Sequence, residues 1–482
     1  MQLTILNLTE RSITCSLENP LTRLNVREQT QIRRKEFVAL PSTPITTVLP
    51  KRCRHISLTH ELNPNSCISS SGSPLDLQTE AKKEGGGADA RISSTVKPTG
   101  LLTRISLTLS ALWKILETAE ESPWRVYVTK VARKHYKLSI FLKRNASSFL
   151  SEIPDSVPLY SLLLPGTHDT MAFYGWPISQ CQFLSDPLST QLHSGIRVID
   201  IRLALVKGRL IAHHGIYPEK TPFSEILETL NEFLTSPLSN RETIVMSMKQ
   251  EDASRTPPPL FSAAIHREIE ESKGGFGLFF LENRIPKLGE VRGKVVMLSR
   301  FGGNGDGWEG GLEGLGIHPT TWPDSEKDAF EWDCKGVTVR THDWYSIPSF
   351  LYIPEKFSLA AQNLLSPSDS TPTLSFSYFS AASFPFSMPP IIAQGFGWPK
   401  WGLGIEGVNS RLARWVLGGL SGEGPASANA CERKGIFGNG GEPRIRGWAM
   451  MDYYSSPAEG LVPLLIECNF RGRKDGEEGW IC

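Results

Sequence analysis

No two cysteines in this 482-residue chain are spaced Cys-x-x-Cys, which removes the common zinc and dithiol redox motifs. The eight cysteines are too sparse for a disulfide-built scaffold. No apolar run reaches the roughly 18 residues of a membrane-spanning helix. The opening MQLTILNLTERS lacks a basic start ahead of an apolar stretch, so no secretory signal is read there. Charge of one sign is missing too: the net charge is +1, so no global field draws the chain towards nucleic acid. These absences leave a soluble or peripheral membrane protein. What is present is an apolar content of 40%, suited to a sizeable core, and length for one large domain plus further material or for two to three domains.

Residues 1 to about 120 are rich in Thr, Ser, Pro and Arg and include SSSGSPLDLQTEAKKEGGGADA (Ser69 to Ala90). Such composition buries too little apolar surface to offset chain entropy, so a largely disordered extension is expected. A targeting segment and an incorrectly placed gene start are both compatible with it. Leu101 to Leu116 has partly helical spacing and is expected to be a helix. RVYVTKVARKHYKLSIFLKRN (Arg125 to Asn145) alternates apolar with polar residues and reads as a β-hairpin within 121–150. It holds seven Lys or Arg and no acid. A solvated edge hairpin explains this; so does a basic patch facing an anionic membrane. Asn145-Ala146-Ser147 is a glycosylation sequon, meaningful only in a secreted chain.

Over 151–482 an apolar strand, a loop and a helix recur. Strands are expected at 161–166, 197–206, 209–215, 243–251, 294–301, 336–344, 373–381, 448–454 and 463–470. Helices are expected at 222–237 and 358–365. Several strands are almost continuously apolar, as strands covered on both faces are. The pattern predicts a closed α/β barrel of the (β/α)8 type. The Gly-rich segments 301–316 and 419–443 read as long loops. YFSAASFPFSMPPIIAQGFGWPKWG (378–402) carries Phe379, Phe384, Phe386, Met388 and Trp398. It fits core packing and bilayer insertion equally.

Ionisable groups cluster where apolar runs end. LLLPGTHDTMAFYGW (162–176) stops at Pro165-Gly166 and delivers His168 and Asp169. Asp200 and Arg202 lie two apart, on one face of a strand. His213 and His214 close the next run, Lys249 and Glu251 another, Arg300 a fourth; Asp343 and Tyr345 follow a fifth, and Asp452 lies in the last. Each alone has an ordinary explanation: a hydrogen-bonded His, a structural Asp–Arg pair, a helix-capping Asp. Together they would be costly to bury without a function, and strand ends of a barrel converge on the face where chemistry sits. Two histidines suit a base and an acid on opposite sides of a reacting centre. Carboxylates set their tautomers, and an Arg fork matches two phosphate oxygens. That set suits phosphodiester cleavage by an internal hydroxyl. Two His and two Asp could also hold zinc or manganese, but Arg202 is a fixed cation that repels a second one.

PGTHDT (165–170), GIRVIDIR (195–202), HHG (213–215), ETIVMSMKQE (242–251), SRF (299–301) and HDWY (342–345) together resemble the X domain of phosphatidylinositol-specific phospholipase C. The likeness is to the bacterial-type, metal-independent branch, and within it to fungal phospholipase C-like phosphodiesterases. It spans roughly Pro154 to Phe470. It implies a distorted TIM barrel that cleaves phosphatidylinositol, or a glycosylated inositol lipid, to diacylglycerol and inositol 1,2-cyclic phosphate. By the same resemblance His168 is the general base, His214 the general acid and Arg202 the phosphate clamp with Asp200 beside it. Asp169 matches the partner of the acid and Asp452 that of the base. Lys249, Arg300, Asp343 and Tyr345 match positions that hold inositol, Tyr345 by stacking. Eukaryotic signalling relatives use calcium where this chain has Arg202, so the resemblance implies no calcium and no other cofactor. The implied partner is an inositol phospholipid at a membrane surface, met peripherally. Two alternatives stand: a metal-dependent phosphodiesterase acting on another lipid or a glycerophosphodiester, and a lipid-binding barrel without chemistry.

Overall fold

The structure is a computed structural model. It describes residues 1–9, 13–18, 36–39, 45–49, 53, 55–60, 101–107, 112–302, 315–365, 371–397, 403–421, 444–457, 460–473, 476 and 478–480. Two units divide at residue 143: Met1–Lys143 and Arg144–Cys482.

The first unit is built from strands. A five-stranded sheet runs in the order Ile45–Val48, Gln2–Asn7, His135–Leu142, Trp124–Ala132, Trp113–Leu116. A four-stranded sheet runs Glu36–Ala39, Ile13–Glu18, His55–His60, Leu101–Ser106. Leu3, Ile5 and Val126 of the first sheet share one core with Ile13, Ile56 and Ile105 of the second, the arrangement of a β-sandwich. The expectation of a largely disordered stretch over 1 to about 120 therefore fails for its described parts; Ser69 to Ala90 lies outside them. The strands were hard to see because each is short and contributes only alternate apolar residues, with long polar segments between. The described residues of Leu101–Leu116 form two strands, Leu101–Ser106 and Trp113–Leu116, not a helix: Ile105 and Leu107 alternate with Ser and Thr, and that period of two prevails. Trp124–Ala132 and His135–Leu142 do form an antiparallel hairpin. It is interior rather than an edge, because Gln2–Asn7 pairs with its second strand and Trp113–Leu116 with its first. Its tip, with Lys130, Arg133 and Lys134, is exposed, as is Leu142 at the far end of its second strand.

The second unit carries the curled sheet of a barrel. Its order is Phe279–Phe280, Val295–Arg300, Ile244–Gln250, Val198–Val206, Leu163–Thr167, Gly447–Met451, Thr373–Tyr378, Val337–His342, Phe330–Cys334. All neighbours are parallel except the last two. The expected closed barrel is thus an open one: among the described residues nothing pairs the Phe279–Phe280 edge with the Phe330–Cys334 edge. After Arg300 the chain instead returns as Phe330–Cys334, which lies antiparallel along Val337–His342 and satisfies the edge that closure would have covered. Arg209–His214 and Tyr217–Pro222 form a hairpin that branches from Val198–Val206. Helices Phe223–Thr235, Pro258–Glu271, Ile353–Asn363 and Val408–Leu420 pack outside. The apolar run at 463–470, expected as a strand, is the helix Leu461–Glu467 with a following turn. A continuous apolar run does not distinguish a buried strand from a buried helix. No helix among the described residues is long and apolar enough to cross a membrane.

Candidate active site

The first strand, Leu163–Thr167, is the pivot of the site. Gly166 is required in it: a Cβ there would meet Met450 Sδ at 2.5 Å and Val198 at 2.9 Å. The strand can therefore lie close against both parallel neighbours, and where it stops, His168 N donates to Met451 O at 3.0 Å. His168 is thereby fixed beside Asp452, two strands' ends brought together across a sequence gap of 284 residues. His168 Nδ1 lies 2.8 Å from Asp452 Oδ1. The other ring nitrogen, Nε2, receives the Arg202 guanidinium at 2.7 Å. An imidazole that gives its Nδ1 proton to a carboxylate and accepts at Nε2 is a base with its lone pair towards the cavity.

Arg202 projects from Val198–Val206 on the same face as Asp200. Its Nε sits 2.8 Å from Asp169 Oδ1 and 3.0 Å from Asp200 Oδ2, and NH1 sits 3.4 Å from Glu251 Oε1. Burial works against the guanidinium's charge, yet Asp169, Asp200 and Glu251 together hold it firmly protonated. Burial also opposes ionisation of Asp200, but Arg202 and Arg300 keep its carboxyl well below the usual range. Burial, then Arg202, pushes His168 well below its ordinary pKa, while burial and Asp169 push Asp452 well above. Both shifts oppose charge on the two partners.

His214 ends Arg209–His214 and lies across the guanidinium. Its Nδ1 donates to the Ser179 carbonyl at 2.7 Å. Its Nε2 faces Asp169 Oδ2 at 3.4 Å, and the two imidazole rings are 6.5 Å apart. With Nδ1 committed to a carbonyl, Nε2 is the nitrogen that can carry a transferable proton. His213 turns away, its Nδ1 against Ile211 O at 3.1 Å.

These groups open onto a cavity of about 690 Å³. Of the residues expected from sequence, His168, Arg202, His214, Lys249, Arg300, Asp343 and Tyr345 line it. Asp169, Asp200 and Asp452 are buried directly behind. Lys249 Nζ is 3.1 Å from Glu251. Tyr345 donates its hydroxyl to Asp324. Sequence reasoning missed Trp322: it stacks under the Arg300 guanidinium at 4.0 Å and donates Nε1 to Asp343 Oδ2 at 2.9 Å. It lies in the stretch read as loop between two strands. Tyr378, edge-on to His168 at 5.9 Å, was hidden inside a strand reading. Glu251 carried a signal, since it shares a strand face with Lys249.

Two trios could offer donors to a metal: His168, Cys181 and Asp452, and Asp169, Cys181 and His214, each with atoms within 4.8 Å of one another. Both depend on Cys181, whose thiol burial pushes far up, so it resists becoming the thiolate a metal needs. In the second, Asp169 already serves Arg202.

No family model matches the chain. A curated Listeria monocytogenes protein named 1-phosphatidylinositol phosphodiesterase is 37% identical over 161 residues, 31% of this chain and 48% of that protein. A Staphylococcus aureus protein of the same name is 28% identical over 177 residues, 34% of this chain and 53% of that protein. The chain spans about half the length of the curated relatives it matches. Over those stretches the chain is similar to bacterial phosphatidylinositol phosphodiesterases. A solved phospholipase C of that kind from S. aureus, described in terms of modulating its membrane binding, superposes with a TM-score of 0.50. It shares 22% identity over 67% of this chain and 98% of its own, a likeness of fold.

Proposed function

We propose that the barrel cleaves the phosphodiester of an inositol phospholipid by two-histidine acid–base catalysis. The observation that carries this is the placement of two imidazoles on either side of one guanidinium, each with Nδ1 held by a fixed acceptor and Nε2 left to act. Arg202 holds two phosphate oxygens. His168 Nε2 removes the proton of the inositol 2-hydroxyl, whose oxygen bonds to phosphorus. The bond from phosphorus to the glycerol oxygen breaks, and His214 Nε2 protonates that oxygen. Diacylglycerol leaves, and the 1,2-cyclic phosphate remains. His168 ends protonated and His214 neutral, and exchange with water resets both. Asp452 supports the charge that forms on His168. Lys249, Arg300, Asp343 and Tyr345 surround the inositol ring, and the fixed charge of Arg202 takes the place of a metal ion.

A lipid substrate requires contact with a membrane, and exposed apolar residues near the cavity favour it. Ile216, 82% exposed, follows the lining residue Gly215. Phe384 and Phe386, 73% and 60% exposed, follow the lining residue Ala382, whereas Phe379 of the same aromatic stretch is core. Trp398 lies outside the described residues.

Phosphorus NMR of the protein with phosphatidylinositol micelles in excess EDTA tests the reading. A cyclic inositol phosphate signal is expected, absent in His168→Ala and in His214→Ala. Turnover that stops in chelator moves the chemistry to a metal-dependent diesterase; no turnover of any inositol lipid removes the proposal.

A further inference from the structure

Resting on that reading of His214 as the acid, we propose that Glu219 is the positioning residue of the acid: it fastens the loop whose Ser179 carbonyl sets the His214 ring. Glu219 lies on Tyr217–Pro222, the strand antiparallel to Arg209–His214, with Tyr217 opposite His214. Although flanked by exposed neighbours, it is 1% exposed. Its Oε2 accepts from two consecutive backbone groups, Phe173 N at 2.8 Å and Tyr174 N at 2.9 Å. Lys220 adds a second grip, its ammonium 3.8 Å from the Tyr174 ring centre.

The clamped point is joined to Ser179 by short links. Gln180 Nε2 donates to Phe173 O at 2.8 Å, Ser179 Oγ donates to Tyr174 O at 3.2 Å, and Ser179 N donates to Gly175 O at 3.0 Å. Beyond the clamp the loop turns outward: Trp176 is 72% exposed and Ile178 is 41% exposed, so little packing holds its outer side. The carboxylate therefore supplies the hydrogen bonds that tie this loop's Phe173–Tyr174 backbone to the strand pair bearing the acid. Backbone N–H groups left without it would be buried donors with no acceptor, at real cost. His214 and Asp169 face the same carboxyl, and burial pushes it up to about 7. Cys181, next along the loop, faces it as well.

The consequence is chemical. If the loop loosens, the Ser179 carbonyl no longer commits Nδ1 to carrying the proton. The neutral ring then populates both tautomers, and in the imidazolium that serves as acid the Nε2–H is no longer aimed at the leaving oxygen. No such effect reaches His168, which is set by Asp452.

Two readouts test this on the full chain, with Glu219→Ala and Glu219→Gln. In nitrogen-15 histidine NMR, with His214→Ala to assign the signals, wild type is expected to hold His214 in the Nδ1–H form. Glu219→Ala is expected to show mixed tautomers, and Glu219→Gln, which keeps an acceptor oxygen, to restore the single form. In kinetics, Glu219→Ala is expected to lose about tenfold to a hundredfold on monomeric short-chain phosphatidylinositol. It is expected to lose under about threefold on a nitrophenyl inositol phosphate, whose leaving group needs little acid help. Equal losses on both substrates, or an unchanged His214 tautomer in Glu219→Ala, overturn the proposal. Should Glu219→Ala fail to fold, Glu219→Asp, which shortens the reach by one methylene, replaces it in both readouts. The NMR result does not depend on turnover, so an inactive wild type removes the proposed function and still leaves the role of Glu219 decided.

Discussion

The two flanks of the cavity hold their histidines by different means. On one flank His168 sits between a buried carboxylate that follows one barrel strand and a guanidinium carried within another. On the other, His214 leans on a backbone carbonyl carried by a partly exposed loop. A carboxylate partner stabilises an imidazolium, which the base becomes during reaction. A carbonyl fixes a tautomer without adding a full charge, which suits a group that must give its proton away. On the proposed mechanism, the base is built for electrostatics and the acid for orientation.

The sharpest way to break that contrast is to remove each histidine and change the leaving group. His168→Ala is expected to lose on the order of 10³-fold to 10⁴-fold with both phosphatidylinositol and a nitrophenyl inositol phosphate. His214→Ala is expected to lose as much with the lipid but at least about tenfold less with the nitrophenyl substrate, by steady-state rates. Identical patterns would erase the distinction. Asp452→Asn comes next. It removes the charge behind the base and frees the ring to invert, and a loss of roughly 10²-fold to 10³-fold in kcat on both substrates is expected. A loss confined to the lipid would place Asp452 with the acid.

A third test sharpens the base flank through stability. Lys356 is fully buried on Ile353–Asn363, its Nζ without a hydrogen bond in the structure. Burial pushes it down to about 7, against the pull of Asp343 and Asp452. The unfolded chain then binds more protons than the folded one between about 7 and the ordinary 10.5, so stability rises with pH across that window. Lys356→Met is expected to lack this rise and to be more stable than wild type at pH 7 and below, by at most about 5 kcal/mol. Denaturant melts at pH 6.5 and 9.5 measure it; the same rise in the variant would acquit Lys356. The smallest effect is expected on the acid flank's exposed loop. Trp176→Ala is expected to weaken partitioning to phosphatidylinositol vesicles by up to about tenfold with no change on a monomeric substrate. A change on the monomeric substrate would mean that the loop serves the acid more than the membrane.

The base flank was legible in the sequence and the acid flank only in half. His168 and Asp452 are side chains at strand ends, which show as breaks in apolar runs, and Arg202 interrupts an apolar strand two residues after Asp200. His214 was legible for the same reason. Its orienting partner was not, because a backbone carbonyl leaves no mark in a sequence and Glu219 lies among exposed residues that look like any hairpin. Trp322 escaped because it sits outside every regular element. The barrel itself was readable from its near-continuous apolar strands, though not its missing closure, which depends on where the chain travels after Arg300. The sandwich of the first unit was unreadable, since Ile13–Glu18 and His55–His60 pair across long polar segments that dilute their pattern.

The strand order of the barrel also sets a timetable. Gly447–Met451 slots between Leu163–Thr167 and Thr373–Tyr378, and only then does Asp452 reach His168, 284 residues earlier in the chain. At a synthesis rate of about 5–20 residues per second, a nascent chain waits roughly 15–60 s between making its base and completing it. Throughout that interval the emerging chain carries a histidine, an arginine and a second histidine without the carboxylate that completes their cluster.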